Sequence, residues 1–471
     1  MCFPNRAPDH SLYHAPDHSA KRRTFVIIHS VTPSFQEKPH RTLLALTVPV
    51  VISLIAEPLT GLIDTAFIAR LGSVSMAALG VGTIALSSTF WIFNFLGIAT
   101  QTDVARAIGA GDQKAAKEHA GLTIVLALGL GLITMVVLFL FVSEISGLLG
   151  ANEAIQRDAD LYIRIRLFGM PAVLVTVAGF GVLRGVHDMR SPLWIAIGLN
   201  VINLILDPLL IFGMAGFPAL GIKGAAIASV IAQYSRAVAT IWFILNRIGL
   251  VPGFDWPRAR RLIRTGGDLF VRTGMLILFL VIATRQATRM GPDAGAVHQA
   301  IRQVWMFSLL FLDGFAVAGQ SLIAYYLGSG DLQTARNVAA TVCLWSLITG
   351  FALAFVMWAG TSFMTSLLIP ASAIGLFHGP WIASIIIQPV SALTFATDGI
   401  HWGTGDFRYL RNAISVATVA GVGGLFLIDT APEQGLLWIW ILTGVWIIIR
   451  ALFGLIRIWP GFGQAPLRVN P

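Results

Sequence analysis

From Arg41 to about residue 459 the chain is a succession of apolar runs, each long enough to cross a bilayer. A span needs about 20 predominantly apolar residues. Twelve segments meet that need: 42–70, 75–108, 117–142, 157–183, 191–213, 221–246, 260–289, 294–327, 333–358, 366–402, 409–429 and 434–459. Several exceed 30 residues, which predicts tilt or kinks. Ten-residue blocks of alternating polarity, the pattern of an outer-membrane barrel, are absent. Inside hydrocarbon a backbone must satisfy its own polar groups, so the runs are predicted as α-helices. Composition excludes the alternative of several soluble domains. Of 471 residues only 12% are charged and 56% are hydrophobic, against roughly 25% charged in a soluble domain. The expected fold class is all-α integral membrane, with twelve transmembrane helices.

The net charge of +9 is a topology signal rather than a nucleic-acid footprint. Basic residues gather in the even-numbered connections: Arg106, Lys114 and Lys117, then Arg184 and Arg190, then Arg247, Arg258, Arg260, Arg261 and Arg264, then Arg336, then Arg408 and Arg411. The intervening loops carry mainly Arg70, Arg157, Lys223 and Arg289. With Lys21–Arg23, Lys38 and Arg41 ahead of the first span, both termini are predicted on the cytoplasmic side of the inner (plasma) membrane. No nucleic-acid partner is expected.

Residues 1–40 differ from the rest. They hold His10, His14, His18, His29 and His40, a Lys21-Arg22-Arg23 cluster and a duplicated APDHS. Phe25–Ile28 is too short for a signal-peptide core, and the histidine spacing fits no usual metal-ligand pattern. The segment reads as a disordered cytoplasmic extension, or as a start assigned upstream of the true one, although no methionine follows Met1 until Met76. Cys2 and Cys343 form no CxxC pair and read as free thiols.

A shift of 219 residues superposes the first half on the second. Ile63, Thr65, Arg70, Gly72 and Ala77 fall on Ile282, Thr284, Arg289, Gly291 and Ala296. Ala99, Gln101, Ala105, Gly109, Gly111, Asp112 and Ala116 fall on Ala318, Gln320, Ala324, Gly328, Gly330, Asp331 and Ala335. A shift of 218 then matches Gly185, Asp188 and Arg190 to Gly403, Asp406 and Arg408. Six spans per repeat is an even number, so both halves enter from the same side. They are predicted as two six-helix lobes, 41–247 and 248–459, related by a pseudo-two-fold along the membrane normal, with a short cytoplasmic tail at 460–471. A cavity between such lobes is transporter architecture.

The residues that the repeat does not copy are the informative ones. Asp64 falls on Ala283, Glu57 on Leu276, Asn203 on Gly421 and Asp207 on Leu425. A carboxylate at a helix centre costs roughly 2.5–3.5 kcal/mol on insertion scales, which makes each one a functional candidate. Glu57 and Asp64 are two turns apart on one face of the first span, and Asn200, Asn203 and Asp207 share a face of the fifth. They are candidates for a cation- or proton-coupling pocket in the first lobe. The structural alternative places the carboxylates at span ends in headgroup water, or has Asp207, followed by Pro208, cap a broken helix. Pro49 and Pro58 interrupt hydrogen bonding in the first span and are candidate hinges, with a static kink as the alternative.

The second half has buried charges of its own: Arg272, Arg285, Arg302, Asp313 and Asp398. Arg285, Arg302, Asp313 and Asp398 are read as a neutralised charge network, the alternative being an anionic-substrate or second proton site. His298 and His401 read as packing residues. No Walker A, GxSxG, HExxH or zinc-type spacing occurs in the right context. The chain is therefore not expected to be an enzyme, no metal site or cofactor is expected, and transport would run on an ion gradient or passively.

The motifs GLIDTAFIARLG (Gly61–Gly72), GVLRGVHDMRSPL (Gly181–Leu193), NVINLILDPLLIFG (Asn200–Gly213) and GIKGAAIAS (Gly221–Ser229) resemble the multidrug and toxic compound extrusion (MATE) family. LDGFA (Leu312–Ala316) and DGIHWGTGDFRYLRNA (Asp398–Ala413) resemble its DinF branch. The resemblance covers about residues 41–460. It implies efflux of small amphipathic or organic-ion substrates by antiport against protons or sodium, through alternating access of two lobes in the lipid bilayer, as a monomer. The family's first-span aspartate matches Asp64, its fifth-span Asn-x-x-x-Asp pair matches Asn203 and Asp207, its bending proline matches Pro49, and a sixth-span hydroxyl falls at about Ser229. His187 stands where the family more often has glycine. The lobe carboxylates and DinF motifs favour protons, while the same oxygens suit sodium. A lipid-linked oligosaccharide flippase is the competing reading; it would favour a strongly cationic cavity and further spans, and no further spans are seen.

Overall fold

The computed structural model describes residues 35–428, 432–461 and 463–468. Among them there are helices and no strands. In the first half these are α1 (Pro39–Ile68), α2 (Ser73–Ile92), α3 (Phe95–Gly109), α4 (Gln113–Leu140), α5 (Val142–Leu148), α6 (Glu153–Leu167), α7 (Met170–Gly185), α8 (Arg190–Phe212) and α9 (Ile222–Arg247). In the second half they are α10 (Trp256–Arg289), α11 (Pro292–Gly328), α12 (Leu332–Ala359), α13 (Thr361–Leu368), α14 (Ile374–Thr404), α15 (Phe407–Phe426) and α16 (Pro432–Ile458).

Each of the twelve apolar segments falls on one helix or on a consecutive pair. Among the described residues ten helical stretches are long and apolar enough to cross a membrane on their own. An eleventh is the pair α6–α7, bent by 50° at Phe168 and Gly169. Helix α15 carries Arg408 and Arg411 in its first turns and completes the bundle by packing on α10 and α16. In the first lobe α7 is central, against α3, α4 and α9; in the second, α14 is central, against α11, α12 and α16.

The repeat is visible in the contacts that join the lobes. Gln101 of α3 donates to the Val317 carbonyl at 2.8 Å, and Gln320 of α11 donates to the Ile98 carbonyl at 2.7 Å. Gln320 is the 219-residue copy of Gln101, and Val317 of Ile98, so the two bonds exchange under the pseudo-two-fold. Glycines allow the same close approach twice. A Cβ on Gly109 would sit 1.9 Å from the Tyr325 carbonyl oxygen, and one on Gly328 would sit 2.1 Å from that of Arg106. Each helix of this pair ends in a left-handed glycine, Gly111 (φ 74°) or Gly330 (φ 79°). An aspartate then caps the next helix: Asp112 accepts from the Ala115 amide and Asp331 from the Thr334 amide. The Thr334 bonds hold the Asp331 carboxyl below the usual carboxylate range.

These contacts all lie at one end, the end that carries the basic connections and α1's start. There α1 also crosses to the second lobe: Gly314 of α11 lies against Val51 and Thr47. Helices α2 and α6, which build the opposite end of the first lobe, pack within that lobe. The lobes are joined at the near end and part toward the far end.

One boundary differs from expectation. Of the segment 1–40, residues 1–34 with four of its histidines lie outside the described residues. Residues 35–40 are folded onto the second lobe: Phe35 is buried, the Gln36 amide donates to Asp331 at 3.1 Å, and His40 accepts from Trp345 at 3.0 Å. Likewise the tail folds back. Leu467 is buried beside Phe35 and Ile458, and its carbonyl accepts from Arg336 at 3.1 Å. Apolar side chains at both ends, sparse as they are, find the same cluster at the base of α11.

Gly328→Ala is expected to lower the melting temperature by several degrees in a thermal-shift assay, because backbone rather than a flexible side chain stands in the way. Gly80→Ala, where nothing lies within 4 Å, is expected to leave it unchanged or raise it.

Candidate functional site

The first-lobe residues singled out by the broken repeat converge between α1 and α8. Pro58 deprives the Leu54 carbonyl of its helical partner, so α1 depends on its neighbour here. Asn200 supplies the tie: its amide donates to the Ala56 carbonyl at 2.9 Å, and Thr60 donates to its oxygen. One turn and two turns further along α8 stand Asn203 and Asp207, both buried. Asp207 lies inside a helix that runs unbroken through Pro208, so it does not cap a break. Asp207 is fully buried, with 0% exposure, so the headgroup-water alternative does not apply to it.

Asp64 of α1 meets Asp207 within hydrogen-bonding reach. No protein donor among the described residues reaches Asp64 Oδ1, either carboxyl oxygen of Asp207, or the amide oxygen of Asn203. Two facing carboxyls without a donor between them form a place for a proton or a cation. The site lies about one helical turn from the far ends of α1 and α8. Of Glu57 only the backbone is described. Ser229, on α9 beside α8, is buried at the same depth with its hydroxyl unpartnered among the described residues.

Sequence reasoning missed the other wall of this pocket, which α6 supplies. Arg166 is the positive charge felt by both Asp64 and Asp207. It lies over the Tyr162 ring at 5.8 Å, and Tyr162 faces both aspartates and the Thr83 hydroxyl. Tyr162 and Arg166 are four apart, on one face of α6. The available signal was an arginine inside the fourth apolar run. Gln233 of α9 packs against Gly169 at the α6–α7 bend, where a Cβ would sit 1.8 Å from its oxygen.

The second-lobe network is redrawn. Asp398 of α14 is buried and takes both of its ion pairs on one oxygen, from Arg272 of α10 and from Arg450 of α16, the latter at 3.1 Å. Arg272 lies 5.3 Å from the Trp402 ring centre and Arg450 lies 4.6 Å from that of Trp446. Asp313 of α11 faces Arg272, Asp398 and, across the lobe boundary, Arg184. Arg285 and Arg302 do not join it. Arg302 bonds Gln299 on its own helix at 2.9 Å, and Arg285 is exposed. The reason is depth. Helices α10 and α11 are an antiparallel pair joined at Met290 and Gly291, so Arg285 is level with the first turns of α11 while Asp313 is level with Arg272. Arg450, an arginine inside the last apolar run, carries the same signal as Arg272 and was missed. His298 packs on Trp440 and Thr284, and His401 on Tyr409.

Against known proteins, the MatE family model matches residues 49–209 and 272–426. The chain is 32% identical over 446 residues to Protein DETOXIFICATION 44, chloroplastic, of Arabidopsis thaliana, covering 91% of this chain and 82% of that one. It is 27% identical over 443 residues to DNA damage-inducible protein F of Escherichia coli, covering 92% and 95%. Among solved structures, a MATE in the bent conformation superposes with a TM-score of 0.83 at 18% identity, over 91% of this chain and 96% of that one. The outward-facing conformation of a multidrug resistance MATE family transporter superposes with a TM-score of 0.80 at 20% identity, over 90% and 97%. These structures share the fold.

The redrawn network makes a discriminating prediction. Asp398→Asn leaves two buried arginines without a countercharge and is expected to cost about 3–5 kcal/mol, read as a large loss of thermal stability. Arg285→Ala and Arg302→Ala are expected to melt as the parent protein does.

Proposed function

Since the chain belongs to the MatE family, we propose that it is a secondary active exporter of small organic molecules, driven by cation antiport and working by alternating access of its two lobes. The observation that carries this reading is the Asp64–Asp207 contact, placed in one lobe and missing from its copy. A proton is the coupling ion that this site suits best. Two carboxyls and one amide oxygen make a sparse cage for sodium, and the Arg166 guanidinium beside them repels a second cation. A proton taken between Asp64 and Asp207 gives a donor to oxygens that otherwise lack one and removes one of the two negative charges that face Arg166.

The hinge follows from α1. Its first half is packed on α11 at Thr47 and Val51, which flank Pro49, and its second half is tied to α8 at Ala56 and Thr60, which flank Pro58. Protonation at Asp64 loosens α1 from α6 and lets it bend at the prolines, which is how a one-turn-deep site reaches the lobe boundary. With both termini cytoplasmic in the inner (plasma) membrane, the near-end closure described above corresponds to a state open to the outside. A proton then enters from outside, the first lobe rearranges, and substrate is displaced outward. Small amphipathic molecules or organic ions are the substrate class, and a monomer suffices because both lobes belong to one chain. The flippase alternative is not favoured, since the twelve segments account for the described helices without an added span.

In proteoliposomes with an imposed pH gradient, efflux across a panel of fluorescent amphipathic dyes is expected to fall to the level of empty liposomes in Asp64→Asn and in Asp207→Asn. A sodium gradient alone is expected to drive nothing. Transport by Asp207→Asn at the parent rate, or transport by the parent protein on sodium alone, contradicts the proton assignment.

A further inference from the structure

His187, in the near-end connection between α7 and α8, holds a left-handed backbone with φ 63°. Among the described residues only one other non-glycine, Ala215, has a positive φ. An L side chain is disfavoured there, and glycine is the ordinary solution. The second lobe uses it: the copy of His187 at a shift of 218 is Gly405, with φ 75°. The two turns are otherwise the same. The His187 amide donates to the Arg184 carbonyl and the Asp188 amide to that of Leu183, both about one turn back. The Gly405 amide donates to the Trp402 carbonyl and the Asp406 amide to that of His401, which are the copied positions. Asp188 then pairs with Arg247 at 2.8 Å, and Asp406 with Arg457 at 2.7 Å. The turn does not need a histidine.

What differs is the side chain that each turn meets from the opposite lobe. Gly405 meets Arg106 of α3, whose Nη2 donates to the Thr404 carbonyl at 2.9 Å; a Cβ on Gly405 would lie 3.5 Å from that nitrogen. The copy of Arg106 is Tyr325 of α11. Tyr325 meets the His187 ring edge-on, with centroids 5.4 Å apart and planes at 72°. The imidazole is 6% exposed, and neither ring nitrogen has a hydrogen-bond partner among the described residues. It faces the Ser321 backbone, and burial pushes it down to about 4, so it sits there neutral. Next to it Ser321 donates to the Arg184 carbonyl at 2.6 Å, again from one lobe to the other.

We propose that His187 is a positioning residue of the transport cycle: its ring, wedged against Tyr325, holds the lobes shut at the near end in place of the arginine-to-carbonyl bond that shuts the symmetry-related site. This rests on the alternating-access reading above. The turn carries a disfavoured backbone conformation in order to present the ring, and the ring touches the other lobe, so the contact forms and breaks with the lobes themselves. One latch is polar, Arg106 on Thr404; the other is aromatic, His187 on Tyr325. Opening the near end wets a buried apolar contact on one side and exchanges a hydrogen bond for water on the other.

The test uses the full chain in a background without Cys2 and Cys343. Spin labels at Lys114 and Gln333, exposed near-end positions that copy each other, report the lobe separation there; labels at Ala69 and Thr288, the corresponding far-end pair, report the other side. His187→Gly relieves the backbone and is expected to melt no lower than the parent, yet to lose the short near-end distance in favour of a longer one while the far-end distance shortens. His187→Asn, which tolerates the left-handed turn without a ring, is expected to do the same, and His187→Phe, which restores a ring against Tyr325, is expected to keep the parent distribution. Coincidence of His187→Gly with the parent, or a His187→Phe as open as His187→Gly, overturns the assignment. Widening of the near end with an unmoved far end counts instead against alternating access itself.

Discussion

At the seam between the lobes two buried glutamine amides find their acceptors in backbone carbonyls of the opposite lobe. Gln101 and Gln320 each reach across to the other lobe, and glycines at Gly109 and Gly328 bring the helix ends close enough for them to do so. Because the two bonds exchange under the pseudo-two-fold, the seam fixes how the lobes are related. Because they sit at the near end, it also fixes where the molecule parts. The Asp64–Asp207 pair lies away from this seam, about one helical turn from the far ends of α1 and α8.

Against that symmetric frame the two lobes spend their charges differently. In the second lobe Asp398 is fully engaged by Arg272 and Arg450, and each arginine lies beside a tryptophan; such a cluster joins three helices and resists change. In the first lobe Asp64, Asn203 and Asp207 keep oxygens without a donor, next to one arginine. A satisfied cluster is architecture. An unsatisfied one is where a small ion can alter the balance, and the lobe that holds it also holds the two-proline helix.

Much of this was legible in the sequence. Span positions follow from apolar length alone, and the repeat is read from the offset that Gln101 and Gln320 share. Asp64, Asn203 and Asp207 were found because they violate that repeat, and they do converge with Asn200 between α1 and α8. What escaped was what periodicity does not encode. Arg285 and Asp313 lie in adjacent spans but at different depths, so charges read as one network do not meet. Arg166 and Tyr162 line the site from a helix whose acidic start resembles a soluble surface. His187 reads in the sequence only as a departure from glycine, because the left-handed φ shows why glycine is expected there and the fold alone brings Tyr325 to it.

The central claim is that protonation in the first lobe moves the lobes. The most direct measurement is the distance between spin labels at Ala69 and Thr288, across the far end, as pH is lowered, in the parent protein and in Asp207→Asn. The account predicts that the parent distribution shifts with pH and that Asp207→Asn holds one distribution throughout. A parent distance that ignores pH, or an Asp207→Asn distance that follows it as the parent does, would contradict the account.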